Sequence, residues 1–250
     1  MRFLETVMGI PMSIDVRSET DATGAARRAF RVLHDADLRF STYRPDSEVS
    51  RINRAGGSLG TASAEIREVV TIGQAMANAT GGAFRVRRPD GSWDLDGVVK
   101  GWAAAQAARE LAGTGFTDFC LNAGGDVVVS GSPDGAEAWH VGIRSPDSPQ
   151  RMLAVLAVTD AAIATSGAYE RGAHIVDGRT EQAATGLRSA TVVGADLTTA
   201  DVLATAVFAL GREGVGWALA HGARGVLAVD ENDQLLGAGE LSFAGVARAQ

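Results

Sequence analysis

The chain has 250 residues, 46% of them hydrophobic and 6% aromatic, and a formal net charge of -7. That length fits one large or two small domains and can bury a substantial core, here of small aliphatic side chains. The acidic balance argues against nucleic acid as a partner, the single cysteine, Cys120, excludes an intrachain disulfide, and no run approaches the roughly 20 apolar residues of a membrane helix.

The N-terminal stretch, residues 2–16, alternates as a strand does. It has no basic start, long apolar core or small-residue cleavage site, so the expectation is a soluble, cytoplasmic protein with no membrane anchor. Ala26, Phe30, Leu33 and Asp37 mark a helical period from about Thr23 to Leu38. The hydroxyl-rich stretch Phe40 to Asn53 reads as a loop. A helix follows from Ser63, its N-cap, to Ala79, where Gly81 and Gly82 end it. Residues 85–92 read as a turn region, and another helix runs from about Gly97 to Leu111.

Beyond Gly115 the pattern is strand-rich. FCLNAGGDVVVSG, WHVGIR, MLAVLAV, AAIATS, AHIVD and SATVVG are short apolar runs between turn signals. Cys120 sits in the first of these and reads as a small buried hydrophobe. A helix over residues 200–210 and a short one to His221 come next. A strand pair with Glu231-Asn232-Asp233 as its turn closes the pattern. Helices among many short strands, without strict βαβ repetition, give an α+β fold class. No internal repeat or linker divides the chain, which reads as a single domain over residues 1–250.

Two distant segments place polar groups where core is expected. In TADVLATAVFALG, Asp201 and Thr205 stand four residues apart on one face of an apolar helix. One reading is a carboxylate in the first helical turn, favoured by the helix dipole, with a threonine bonding back to a carbonyl. The other is a pair of hard oxygen ligands suited to magnesium. In DLDGVVKGWA, Asp94 and Asp96 precede a helix that opens at Gly97. Either Asp96 is an N-cap with Lys100 on the solvated face, or the glycine lets a phosphate approach the backbone and Lys100 neutralises it. A third segment, residues 164–180, gathers Thr165, Ser166, Tyr169, Glu170, His174, Asp177 and Arg179 between strand-like runs. No GxGxxG, P-loop, HExxH, CxxC or GxSxG is present.

Taken in order, VMGIPMSI, FSTYRPDSEVSRIN, ATGGAF, DLDGVVKGWA, NAGGDVVVSG, IATSGAYERGAHIVDGRT and TADVLATAVFALG resemble the FAD:protein FMN transferases, the ApbE family. The resemblance implies an α+β, T-fold-like architecture with mixed or antiparallel sheets and packed helices. It implies a Mg2+-dependent enzyme that cleaves the pyrophosphate of FAD, attaches FMN through a phosphoester to a threonine or serine of an acceptor protein, and releases AMP. Carried over residue by residue, it implies metal ligands at Gly97 (its carbonyl), Asp201 and Thr205. Flavin or nucleotide contacts would come from Met8, Tyr43, Ala83, Phe84, Asp94, Lys100 and Ile175. His174 and Asp177 would stand beside the reacting centre, one as base and the other as its orienter.

The chain departs from the family pattern in places. An aspartate usually follows GAF, and here it is Arg85. The usual HIxDPxTG reads HIVDGRTE, so Gly178 replaces the proline and Glu181 the final glycine. The segment between GAF and DLDG is short, and the expectation is a chain without the export signal or lipid anchor of many relatives. Two alternatives keep the FAD site: a pyrophosphatase that gives FMN and AMP, and a non-enzymatic FAD-binding protein.

Overall fold

The computed structural model describes residues 1–133, 135–167 and 175–244. Its centre is an 8-stranded sheet in the order β1-β2-β3-β4-β7-β10-β11-β12. The strands are β1 (Arg2–Val7), β2 (Ile10–Val16), β3 (Phe119–Ala123), β4 (Asp126–Ser130), β7 (Ala161–Gly167), β10 (Leu187–Gly194), β11 (Gly225–Asp230) and β12 (Leu235–Gly239). Every pairing in it is antiparallel. Two smaller antiparallel pairs are β5 (Trp139–Ser145) with β6 (Ser148–Val158) and β8 (Val176–Asp177) with β9 (Gln182–Ala183). The helices are α1 (Thr23–Phe40), α2 (Glu48–Arg54), α3 (Ala64–Ala79), α4 (Asp96–Gly113), α5 (Leu197–Leu210) and α6 (Arg212–Trp217), the last followed by a 3-10 turn at Ala218–His221. This is the α+β class the sequence predicts.

The middle of the sheet is buried on both faces. Successive residues of a strand point to opposite sides. Ala162 and Ala164 of β7 and Ala190 and Val192 of β10 join the main core with the helices. Their neighbours Ala161, Ile163 and Val193 pack instead with Trp139, Val141, Ile143 and Leu156 of the β5–β6 pair. A strand covered on both faces needs apolar residues throughout, hence runs such as AAIA in place of alternation. On the helical side α4 packs against α1 and α5, and α5 against β7 and β10.

The helix starts follow from local chemistry. Asp196 accepts the Thr199 amide at 3.1 Å and its hydroxyl at 2.7 Å at the head of α5. Ser63 accepts the Ile66 amide at 3.3 Å at the head of α3, as its N-cap reading predicts. At the end of α3 the Gly82 amide reaches back to the Ala77 carbonyl at 2.8 Å, with Gly81 and Gly82 both at positive φ.

Four sequence expectations change. Residues 2–16 form a hairpin, not one strand. Met8 (φ 54) and Gly9 (φ 73) make its two-residue turn, with Val7 opposite Ile10. The stretch from Phe40 to Asn53 contains α2, because Ser47 caps it by accepting the Ser50 amide at 3.1 Å and Val49 and Ile52 are buried. Asp201 is in the second turn of α5, not the first, since the helix begins at Leu197. Asp96 is inside α4, whose N-cap is Leu95. Cys120 is partly buried, and burial, then the nearby Asp15 charge, push its thiol up to about 11. A thiol protonated at neutral pH is a poor nucleophile.

α4 and α5 cross closely at Gly101. A β-carbon there would stand 2.5 Å from Asp201 Cβ and 2.6 Å from the Leu197 carbonyl oxygen. Glycine is what lets α4 and α5 approach. Gly101→Ala should therefore lower the unfolding free energy by about 1–3 kcal/mol through overpacking, despite the roughly 1 kcal/mol that alanine gains in helix propensity. Urea unfolding measures this, and an unchanged midpoint would show that the crossing relaxes freely.

Candidate active site

A cleft of about 1050 Å³ opens where the helices meet the strand turns. Met8, Tyr43, Phe84, Asp94, Gly97, Lys100, Ile175, Asp201 and Thr205 all line it. These come from the β1–β2 turn, the loop after α1, the loop after α3, the start of α4, the segment before β8, and α5. Ala83 and Asp177 are not among the lining residues. His174, with Tyr169 and Glu170, lies outside the described residues.

The buried end of the cleft is an interlocked set of polar groups. Asp201 is 4% exposed and is the one charged residue of α5. Its Oδ2 accepts the Gly101 amide at 2.8 Å. That amide is the one whose regular helical acceptor is the Gly97 carbonyl, so one N–H serves Asp201 beside that carbonyl. Lys100 Nζ stands 2.5 Å from Asp126 Oδ2 and 3.8 Å from Asp201 Oδ1. The first is an ion pair in contact, and the second is beyond hydrogen-bond length. Asp126 is 2% exposed, and its Oδ1 accepts the Thr165 amide at 3.0 Å. The Lys100 ammonium thus points inward, against the solvated-face reading. One α-helical turn along α5, Thr205 Oγ1 and Ser166 Oγ share a hydrogen bond at 3.1 Å. A β-carbon on Gly97 would stand 3.6 Å from Thr205 Cγ2 and 3.2 Å from the Phe84 ring.

The donors gathered here are a carboxylate, a hydroxyl and a helix-start carbonyl. All are hard oxygens, the donor type that suits Mg2+ in preference to softer metals. Among the described residues no group of three or more His, Cys, Asp or Glu is arranged to hold a metal. A cation here would therefore need the Gly97 carbonyl and Thr205 beside Asp201, with room left for substrate oxygens.

The outer cleft differs in character. Tyr43 is 87% exposed, a ring presented to solvent at the mouth, as a stacking platform is. Asp94 is paired with Arg88 at 2.9 Å. Ala83 is fully buried. Its carbonyl accepts the Gly178 amide at 2.9 Å, and its amide donates to the Thr80 carbonyl at 3.3 Å. The Phe84 amide donates to Thr80 Oγ1 at 3.0 Å. Asp177 is held by Arg179, with Nε 2.9 Å from Oδ1 and Nη2 2.8 Å from Oδ2. That guanidinium keeps the Asp177 carboxyl below the usual carboxylate range.

Other lining groups had no role in the sequence reading. Arg144 of β5 and Asp37 of α1 face the cleft, but an isolated charge on a strand or helix gives no sequence sign of it. Asp126 had a signal: a carboxylate after two glycines, opening an apolar strand. Its partner, Lys100, is on α4, far away in sequence.

Comparison with known proteins bears on what this cleft belongs to. The chain matches the ApbE family over residues 8–87 and 85–229. The FAD:protein FMN transferase of Rhodobacter capsulatus is 33% identical over 173 residues, which cover 65% of this chain and 32% of that protein. The FAD:protein FMN transferase of Vibrio cholerae is 27% identical over 241 residues, which cover 73% of this chain and 72% of that protein. Both relatives are transferases by name. Among solved structures, the flavin transferase ApbE from Vibrio cholerae superposes with a TM-score of 0.83 at 24% identity, covering 97% of this chain and 96% of that one. The ApbE protein from Thermotoga maritima gives 0.84 at 23% identity, covering 97% and 96%. The family match spans most of the sequence, the helices and antiparallel sheets superpose on ApbE structures, and the chain belongs to the ApbE family.

Proposed function

We propose that this chain, acting as a single domain over residues 1–250, is a Mg2+-dependent FAD:protein FMN transferase. The observation that carries the reading is the convergence of Asp201, Thr205, Gly97 and Lys100 in one cleft that is also lined by buried Phe84, by Met8 and Ile175, and by exposed Tyr43. The names of the relatives support the same reaction.

In this reading the hydroxyl oxygen of an acceptor threonine or serine attacks the phosphorus of the FMN half of FAD. A new phosphoester bond forms as the bond from that phosphorus to the bridging oxygen breaks, and AMP leaves with that oxygen. Such transfer needs positioning and charge neutralisation more than covalent chemistry by the protein. The Gly97 carbonyl, Asp201 and Thr205 would hold Mg2+, which when bound supplies positive charge against the pyrophosphate. Lys100 adds a second positive charge at the buried end, and Asp126 fixes where it stands. Asp126 is in turn held by the Thr165 amide. Tyr43 offers a ring face for the flavin or adenine.

The acceptor hydroxyl gives up a proton as it attacks. His174 is the base by intrinsic pKa. Asp177, held ionised by Arg179, is a weaker acceptor and suits an orienting role.

The test is AMP release from FAD, with and without Mg2+, in the presence of a flavinylatable acceptor protein. The expected outcome is Mg2+-dependent AMP together with covalent flavin on the acceptor, abolished by chelation and restored by added Mg2+. AMP without acceptor would mean hydrolysis, and tight FAD binding with no AMP would mean a binding protein. Asp201→Asn keeps an oxygen for the Gly101 amide but removes the charge. It should lower turnover about 100-fold or more with a native fold, and wild-type turnover would defeat the metal assignment. His174→Ala should cost about 10²–10⁴-fold. With a histidine base the rate rises with pH through about 6.5, because the base must be deprotonated to act. Asp177→Asn should leave that midpoint in place, whereas a wild-type rate that is flat from about pH 5 to 8 would make Asp177 the base.

A further inference from the structure

The β8–β9 hairpin forms one margin of the cleft through Ile175 and Val176. Its strands are two residues each, too short to hold a position by their own ladder. Something else must fix it.

Three ties run from the hairpin turn to the loop after α3. The Gly178 amide donates to the Ala83 carbonyl at 2.9 Å. Gly178 packs so closely that a β-carbon would stand 2.3 Å from the Gly82 carbonyl oxygen and 3.3 Å from Arg85 Cβ. The Arg85 guanidinium is paired with the Glu181 carboxylate. Arg85 itself lines the cleft.

Glu181 has a φ of 61. This is the left-handed conformation that glycine adopts without cost and other side chains resist. A non-glycine residue there carries backbone strain that its surroundings must offset. Partly exposed ion pairs contribute little to overall stability, so stability is a poor account of it. Residues 85, 178 and 181 lie on two loops far apart in sequence, and they meet in space.

We infer that Arg85, Gly178 and Glu181 act as one clasp. Arg85 and Glu181 are positioning residues that set the 175–184 wall against the loop after α3, and so set the width of the cleft where FAD enters. Gly178 makes the fit possible: it supplies the amide that proline lacks, and it leaves room for the Arg85 side chain. The effect on FAD rests on the function proposed above, whereas the clasp itself does not.

The experiment compares wild type with Glu181→Gly, Glu181→Gln, Arg85→Gln and the double reversal Arg85→Glu/Glu181→Arg, all as the full chain. The first measurement, without FAD, is amide hydrogen exchange over residues 175–184, together with the melting temperature. The second is FAD affinity from flavin fluorescence quenching, with AMP release alongside. Each single variant should speed exchange at Gly178 and weaken FAD binding about threefold to tenfold, and the double reversal should restore both. Glu181→Gly should melt no lower than wild type, because it relieves the positive φ, yet it should still bind FAD more weakly with kcat within about twofold. Unchanged exchange in all single variants would overturn the clasp. Weaker FAD binding in Arg85→Gln alone, with both Glu181 variants like wild type, would make Arg85 a direct ligand contact and overturn it as well. If wild type binds no FAD, the functional reading fails, and the exchange arm still decides the clasp.

Discussion

Asp201 accepts the Gly101 amide across the contact between α4 and α5 at 2.8 Å, and the rest of the site hangs on that bond. It forms only because residue 101 has no side chain, since a β-carbon would collide with Asp201 itself. With the helices this close, a buried carboxylate is held by a fixed donor. A buried charge without such partners would be strongly unfavourable. The neighbouring residue, Lys100, is carried by the same helix to the end of β4, where Asp126 receives it. Asp126 is pinned to β7 by the Thr165 amide, and the next residue, Ser166, bonds Thr205 on α5. The loop of contacts closes on the helix where it began, so α4, α5 and the middle of the sheet share one polar network inside an apolar core. Networks of this kind are rigid when every member is satisfied.

Around this fixed end the cleft margin is built from turns. The Met8-Gly9 turn meets the turn at Gly124, where a β-carbon would stand 2.5 Å from Ile10 Cδ1. Gly81 and Gly82 end α3 and hand the chain to Phe84. Tight turns at the ends of packed elements place backbone and side chains at the mouth with little freedom. The charge distribution is graded in the same direction. At the buried end, Lys100 stands between two carboxylates, while the outer lining mixes Arg85 and Arg144 with Asp37 and Asp94.

What was legible in the sequence follows from how local each feature is. Ser63 as N-cap and Gly81-Gly82 as helix end are local chemistry, and the structure has both. Asp201 and Thr205 stood out because an apolar helix has little reason to carry a carboxylate. The Met8-Gly9 turn was missed because strand-like residues flank it on both sides. α2 was missed because its hydroxyl-rich sequence resembles a loop until Ser47 is seen as its cap. The start of α5 was placed late, which put Asp201 one turn too near the helix end. Lys100 with Asp126 and Arg85 with Glu181 could not be read at all, the latter being 96 residues apart. Pairing at that distance is a property of the fold and leaves no periodicity in the chain.

The two parts of the cleft are held by different forces. The buried end is fixed by helix packing and by buried polar groups paired with one another, so a change there disturbs the core. The β8–β9 margin rests on the core through Ile175 and Ala184, and it is tied to the loop after α3 by a backbone hydrogen bond, a close glycine contact and a half-exposed ion pair. A change in the Arg85–Glu181 pair lies outside the core. A tie made by so few side chains can be reset by substituting two or three residues together, here Arg85, Gly178 and Glu181. In the network that holds Asp201, Lys100 and Thr205 a substitution must keep the partner supplied, as Asp201→Asn keeps an oxygen for the Gly101 amide. Rigid chemistry and adjustable access are therefore separated in the fold, and the separation follows from burial: buried polar groups must keep their partners, while exposed ones can exchange theirs at little cost.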